Sequence, residues 1–173
     1  TLDSGDHAVK DFLFLRHFSH GCRQVFSRDR WAITGEAGLF LDPFYSPGSD
    51  FIAISNTYIC DLVARDRAGG PVTPWAEIYQ QLYRSFYDSM LPIYQDQYAL
   101  FGDARVMPVK VIWDYTYYWA LLAPLFFSGR ITDLSTFNRL RKPLQAGRAL
   151  NEAMQPLLRA WGAAGVDFMR LVG

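Results

Sequence analysis

At 173 residues, half of them hydrophobic, the chain is long enough to bury one sizeable core. Seventeen Lys and Arg balance seventeen Asp and Glu, so the formal net charge is zero, and no basic run is denser than Arg139, Arg141 and Lys142. Phosphate neutralisation needs a basic excess, so a nucleic-acid partner is excluded, and those three residues read as a solvated helix end.

In chain order, Phe12 to Phe18, Arg23 to Phe26 and Trp31 to Thr34 read as short strands, rich in aromatic and β-branched residues and separated by Ser19, Gly21 and Asp29. After Ser49 the period becomes helical. A helix is expected from Asp50 to about Arg65, stopping before Gly69 and Gly70. Thr73 followed by Pro74 marks the next start, and Trp75, Ile78, Tyr79, Leu82, Phe86 and Met90 then recur at helical spacing. Pro92 should kink or end that helix, with a continuation to Gly102. Another helix runs from near Pro108 to about Ser128, a short one is capped by Thr132 or Asp133, and a last one begins near Pro143. Val111 to Phe127 is the most apolar stretch, but Asp114 and several tyrosines interrupt it. It falls short of the roughly 20 residues that span a bilayer, so no membrane span is expected.

The segment from Trp31 to Asp50, WAITGEAGLFLDPFYSPGSD, carries the chemistry. Gly35 ends the predicted strand at a sharp turn and leaves Glu36 at its carboxyl end. Pro43, Pro47 and Gly48 stiffen the loop, and Ser49 is placed to cap the following helix. Donor N–H groups and a positive helix end aimed back at Glu36 suit a pyrophosphate, an oxyanion or an electron-rich flavin edge. Asp42, held extended by Pro43, reads as a positioning carboxylate, whereas Asp50 fits the first helical turn through the macrodipole.

Taken together, Gly35-Glu36, Ala37-Gly38, Asp42-Pro43 and Ser46-Pro47-Gly48 resemble the second flavin-contacting motif of flavin-dependent halogenases and, more distantly, of aromatic-hydroxylase-type monooxygenases. The resemblance implies FAD as cofactor. It places Glu36 at the ribityl chain, with Asp42, Pro43 and the Ser46, Pro47, Gly48, Ser49 turn along the ring, and Gly35 at the strand end. It also implies a mainly α fold with a few N-terminal strands, the C-terminal portion of a larger α/β FAD-binding fold. Residues 1–48 would be a sheet remnant carrying the motif, and residues 49–173 a helical substrate-side region, the two forming one compact unit. Tryptophan halogenases resembled here carry a Glu where Tyr45 stands and use backbone N–H groups where Pro47 has none, so hydroxylation, dehydrogenation and halogenation all stay open.

No G-x-G-x-x-G turn follows a strand in the chain, and it opens on Thr1. It is therefore expected to be part of a longer flavoenzyme and to hold FAD only together with an amino-terminal nucleotide-binding portion. An exposed sheet edge before Trp31 would favour self-association. Cys22 and Cys60 are too few for a disulfide framework or a zinc site, and with no visible signal peptide they read as buried free thiols of a cytoplasmic protein. Trp113, Tyr115, Tyr117, Tyr118 and Trp119 spread around more than one helix face, one subset for the core and another for a groove that takes a small aromatic or apolar substrate. His17 and His20 read as hydrogen-bonding residues that also suit a general base, while His7 reads as solvated. The competing reading is a non-catalytic helical module that binds a partner protein or an apolar ligand through its aromatic surface.

Overall fold

The computed structural model describes residues 13, 14, 16 and 18–164. Four helices carry the fold: α1 (Pro47–Arg67), α2 (Thr73–Met90), α3 (Val106–Phe127) and α4 (Leu134–Ala164). Single 3-10 turns occupy Gly35–Ala37, Leu91–Ile93 and Tyr98–Leu100. Helix α1 packs on α2 and α3 on α4, and the turns after α2 rest against α4.

The predicted strands do not form among the described residues. Only two isolated antiparallel bridges remain, His20 with Phe40 and Phe26 with Ala32. The reason lies in who takes the backbone donors. The N–H groups of Val25 and Phe26 both give to Gln80 Oε1 on α2, at 2.7 and 3.1 Å, so no neighbouring strand receives them. Beyond them, the chain folds back tightly through Arg30 at φ +61°, with Ile33 N–H returning to Val25 O at 2.9 Å. Trp31, expected inside a buried strand, is 45% exposed. Among the described residues there is no sheet and so no sheet edge. Phe12, Leu15 and His17 of the first predicted strand lie outside the described residues, as does His7.

Helix boundaries follow the sequence signals more closely. Helix α2 opens at Thr73 with Pro74 in its first turn and ends where Pro92, lacking an N–H, forces a 3-10 turn. The continuation to Gly102 is two such turns rather than a helix. At the other end of the chain, the two helices expected there are one, α4, which runs through Pro143 and Pro156. Both prolines are exposed, as are Arg139 and Glu152 four residues earlier, so water solvates the carbonyls that lose their donors. Asp133 starts α4 by accepting from Ser135 N–H at 2.9 Å and Thr136 N–H at 3.4 Å.

The larger core is aromatic. Tyr58 and Tyr79 stack at 4.3 Å, Phe26 meets Tyr58 and Tyr83 edge-on, and Phe51 meets Tyr83 at 5.6 Å. A smaller apolar cluster of Leu100, Val106, Leu158 and Trp161 joins the ends of α3 and α4. No helix among the described residues is long and apolar enough to cross a membrane.

Candidate functional site

Helix α3 explains the site, because its apolar sequence hides a polar line. Lys110 and Asp114 stand one turn apart, so both project from the same face. That face packs on α4, and Lys110 has no exposed surface. The Lys110 ammonium gives its three hydrogens to Asp114 Oδ2 at 2.6 Å, Ile93 O at 2.9 Å and Gln155 Oε1 at 3.1 Å. Gln155 Nε2 donates to Asp114 Oδ1 and to Asn151 Oδ1, which also accepts from Trp113 Nε1–H. Burial pushes Lys110 down and Asp114 up, and the charge of each opposes the other's shift.

From this network one bond leads to the loop ahead of α1. The Tyr45 hydroxyl donates to Asp114 Oδ2 at 3.1 Å. Burial, then the charge of Asp114, raises the Tyr45 phenol well above its ordinary range, so it stays a donor. Tyr45 and Ser46 have φ of +88° and +55°, two successive non-glycine residues in left-handed backbone. The hydroxyl bond to α3 and the Ser46 N–H bond to Pro43 O at 2.8 Å hold this strained pair.

A cavity of about 200 Å³ lies where the loop meets α3. Tyr45, Tyr94, Tyr115 and Tyr118 wall it, and Asp50 and Asp114 supply its carboxylates. Met90 and Ile93 add apolar surface, and Ser46 belongs to its lining. Tyr118 donates to Asp50 Oδ1 at 3.0 Å. Burial, then the Asp50 charge, pushes the Tyr118 phenol up to about 12. Burial likewise raises Asp50, against the Tyr118 bond that favours its charged form. Tyr94 is 8% exposed, and its hydroxyl is buried without a partner. A second cavity, about 240 Å³, lies between α2, α3 and α4 and has no carboxylate in its lining.

The residues singled out in the sequence fall around the outside of this cavity. Gly35 begins a 3-10 turn at φ +66°, a conformation that suits glycine. Glu36 is exposed, and its Oε1 would lie 3.7 Å from a methyl group added to Gly48, so its carboxylate sits beside the first turn of α1. That is an ordinary contact, so the chain's own packing does not require glycine at 48. Pro43, Ser46 and Ser49 are exposed, while Pro47 is buried as the first residue of α1. Asp42 is already engaged: Oδ1 accepts from Phe44 N–H in its own loop at 3.0 Å, and Oδ2 from the hydroxyl of Tyr98 in the 3-10 turn Tyr98–Leu100. Ser46 alone of these residues lines the cavity.

Other candidates resolve as structure. His20 places Nδ1 against Phe18 O and Nε2 against Glu36 O, binding the loop before α1 rather than facing the cavity. Cys22 and Cys60 are free, but Cys60 is exposed, not buried as expected. Of the aromatic group on α3, Tyr115 and Tyr118 line the cavity, Tyr117 is buried, and Trp119 is exposed. Sequence reading missed Lys110, Tyr94, Asn151 and Gln155, and took Asp114 only as an interruption of an apolar stretch. The available signal was a Lys and an Asp at i, i+4, with Tyr118 a turn further on, inside a helix otherwise too apolar to carry charge. Among the described residues no three His, Cys, Asp or Glu side chains gather as a metal site.

No family model and no solved structure matches the chain. It is similar to the flavin-dependent halogenase chlA of Dictyostelium discoideum, with 23% identity over 127 residues, 72% of this chain. The chain spans 21% of the length of that relative, and the relationship is a distant one.

Proposed function

We propose that this chain is the substrate-side, carboxyl-terminal portion of a FAD-dependent oxidoreductase related to halogenases, acting on an aromatic or apolar substrate. The observation that carries this reading is the position of the tyrosine-walled cavity: it adjoins the same Tyr45–Ser46 loop whose exposed flank bears Pro43 and Ser49. A cofactor on that flank and a substrate in the cavity would be separated only by the loop. The similarity to a flavin-dependent halogenase supports the same assignment.

The residues present fit one wall of a flavin site. Gly48 is small without a packing reason inside the chain, which leaves its backbone open to close approach. Glu36 and Ser49 are exposed and able to accept or donate, and Gly35 turns the chain toward them. In this reading Gly35, Glu36, Asp42, Pro43, Ser46, Pro47, Gly48 and Ser49 contact FAD, with Asp42 acting through the loop it closes. Residues 1–48 supply that wall, residues 49–173 shape the substrate cavity, and a nucleotide-binding portion outside this chain holds the rest of the cofactor. Reduced flavin and oxygen supply the oxidising chemistry. The protein's part is to orient the substrate ring between the cavity tyrosines and to keep water from it. Free thiols, one of them exposed, suit a cytoplasmic setting.

The test compares visible spectra of this chain and of the full product of its native gene. The reading expects a longer, yellow product beside a colourless chain, and loss of the flavin absorbance in Gly48→Val of the longer product. A native product of this length without colour overturns it. One feature favours the helical-module alternative: Ile112, Trp119 and Phe127 on α3 are 67%, 56% and 69% exposed. A partner protein or apolar ligand seated there would explain such a face without any flavin.

A further inference from the structure

We propose that the cavity between the Tyr45 loop and α3 binds a small organic cation, an alkylammonium group, with Asp50 as its counter-charge and the surrounding tyrosines as a cage. This group is what a substrate of the cavity would carry beside its aromatic or apolar part, and the inference rests on the cavity's own residues and needs no flavin on the other flank of the loop.

Charge accounting comes first. Two carboxylates line the cavity, and one is already neutralised, because Asp114 pairs with Lys110 at 2.6 Å. Lys110 has no donor left, its three hydrogens being taken by Asp114, Ile93 O and Gln155. Asp50 has no cationic partner within ion-pair distance among the described residues, and only its Oδ1 is bonded, to Tyr118. The α1 amino-terminal end offsets part of its charge, but a half-buried carboxylate with a free oxygen remains. A ligand anion would be repelled there, and a ligand cation supplies what the site lacks.

The second, independent observation is Tyr94. Its side chain is more than nine-tenths buried, it lines the cavity, and its hydroxyl meets no partner. A buried unpaired hydroxyl is costly in a finished core and is expected where a ligand completes the bonding. The Tyr94 phenol is raised by burial and then by the charges of Asp114 and Asp50, so its oxygen lies in negative potential.

Ring geometry selects the class of cation. Tyr45 meets Tyr94 at 6.3 Å and Tyr115 at 5.5 Å, both edge-on, and Tyr118 closes the wall beside Asp50. Aromatic rings set at steep angles about one small space suit a diffuse alkylammonium charge, whereas a hydrated metal ion needs more oxygen ligands than this site presents. About 200 Å³ accommodates such a headgroup.

The test titrates the unmodified 173-residue chain with choline and with 3,3-dimethylbutan-1-ol, which has the same shape and no charge, followed by calorimetry and tyrosine NMR. Choline should bind about tenfold or more tightly than the alcohol, with shifts confined to the cavity tyrosines, and Asp50→Asn should reduce it to the level of the alcohol. Equal affinity for the two probes, or no binding of choline, overturns the proposal. Because the charge comparison needs no variant, it decides the matter even if Asp50→Asn fails to fold. The flavin reading stands or falls separately, on the colour of the longer product.

Discussion

The two helix pairs are held together by different means. Between α1 and α2 the contact is aromatic: Phe51, Tyr58, Tyr79 and Tyr83 pack face and edge, with few polar atoms inside, the Tyr83 hydroxyl donating to Phe51 O and the Tyr58 hydroxyl buried without a partner, while half-buried Asp61 accepts from both Arg65 and Tyr79. Between α3 and α4 the apolar cluster of Val106, Leu158 and Trp161 lies beside a buried polar set, Lys110, Asp114, Asn151 and Gln155, joined by directed hydrogen bonds. Apolar packing is non-directional and tolerates exchange of similar volumes. A buried polar network fixes geometry at a cost in desolvation. That rigidity is used, since the network ends on Tyr45 and through it holds the left-handed loop at the mouth of the cavity.

Breaking the polar contact should therefore have the largest effect. Lys110→Met leaves Asp114 charged, buried and unpaired, and should cost about 3–5 kcal/mol in urea unfolding. A loss below about 1 kcal/mol would mean that water reaches the pair and that the network is not the organising element. The same contrast is sharpened by two near-isosteric exchanges. Gln155→Met removes a bond from Lys110 and another to Asp114, and should cost about 1–3 kcal/mol. Ile54→Leu in the aromatic core should stay under about 1.5 kcal/mol. Equal costs would erase the distinction between the two contacts.

Tyr45→Phe tests the link between the regions. It deletes only the hydroxyl bond to Asp114 and should lower stability by about 1 kcal/mol. Choline binding should weaken as well, because the loop wall loses its anchor. Unchanged binding would show that the loop holds its place without α3.

What the sequence made legible divides along the same line. Local rules sufficed for α2, whose start Thr73-Pro74 marked, and placed α1 at Asp50 with Ser49 as its cap, whereas α1 opens at Pro47 and holds Ser49 in its first turn. They failed at Pro143 because its cost depends on whether the freed carbonyl reaches water, which only the packed helix decides. The strands failed for a non-local reason: Gln80, more than fifty residues away, takes the donors of Val25 and Phe26. At the site, Ser46 and Asp50 were visible as a loop and a helix start. Their apposition to Asp114 and Tyr118 across sixty-eight residues had no local signature. Lys110 and Asp114 were the exception, readable as paired charges in an apolar helix.

The smallest effect is the most specific to the proposed ligand. Asp50 has its pKa raised above the ordinary 3.8, first by burial, with the Tyr118 bond opposing. Tyr94 and the α1 amino terminus also face it, the phenol staying neutral and the helix end favouring charge. The sign follows directly: the folded state holds this proton more tightly than the unfolded one. Stability therefore falls as pH rises from 3.8 through the folded value, and the penalty is complete at neutral pH. Asp50→Asn removes the penalty, so the ligand-free variant should be modestly more stable than the wild type at neutral pH, with the gain vanishing as the carboxylate protonates in acid. Urea unfolding at several pH values measures the difference. A variant less stable at neutral pH would mean that the helix end and Tyr118 already compensate the charge, leaving no vacancy for a cation. If the gain is present, choline should stabilise the wild type and leave the variant unchanged, because a site that tolerates an uncompensated carboxylate when empty recovers that cost only when the counter-charge arrives.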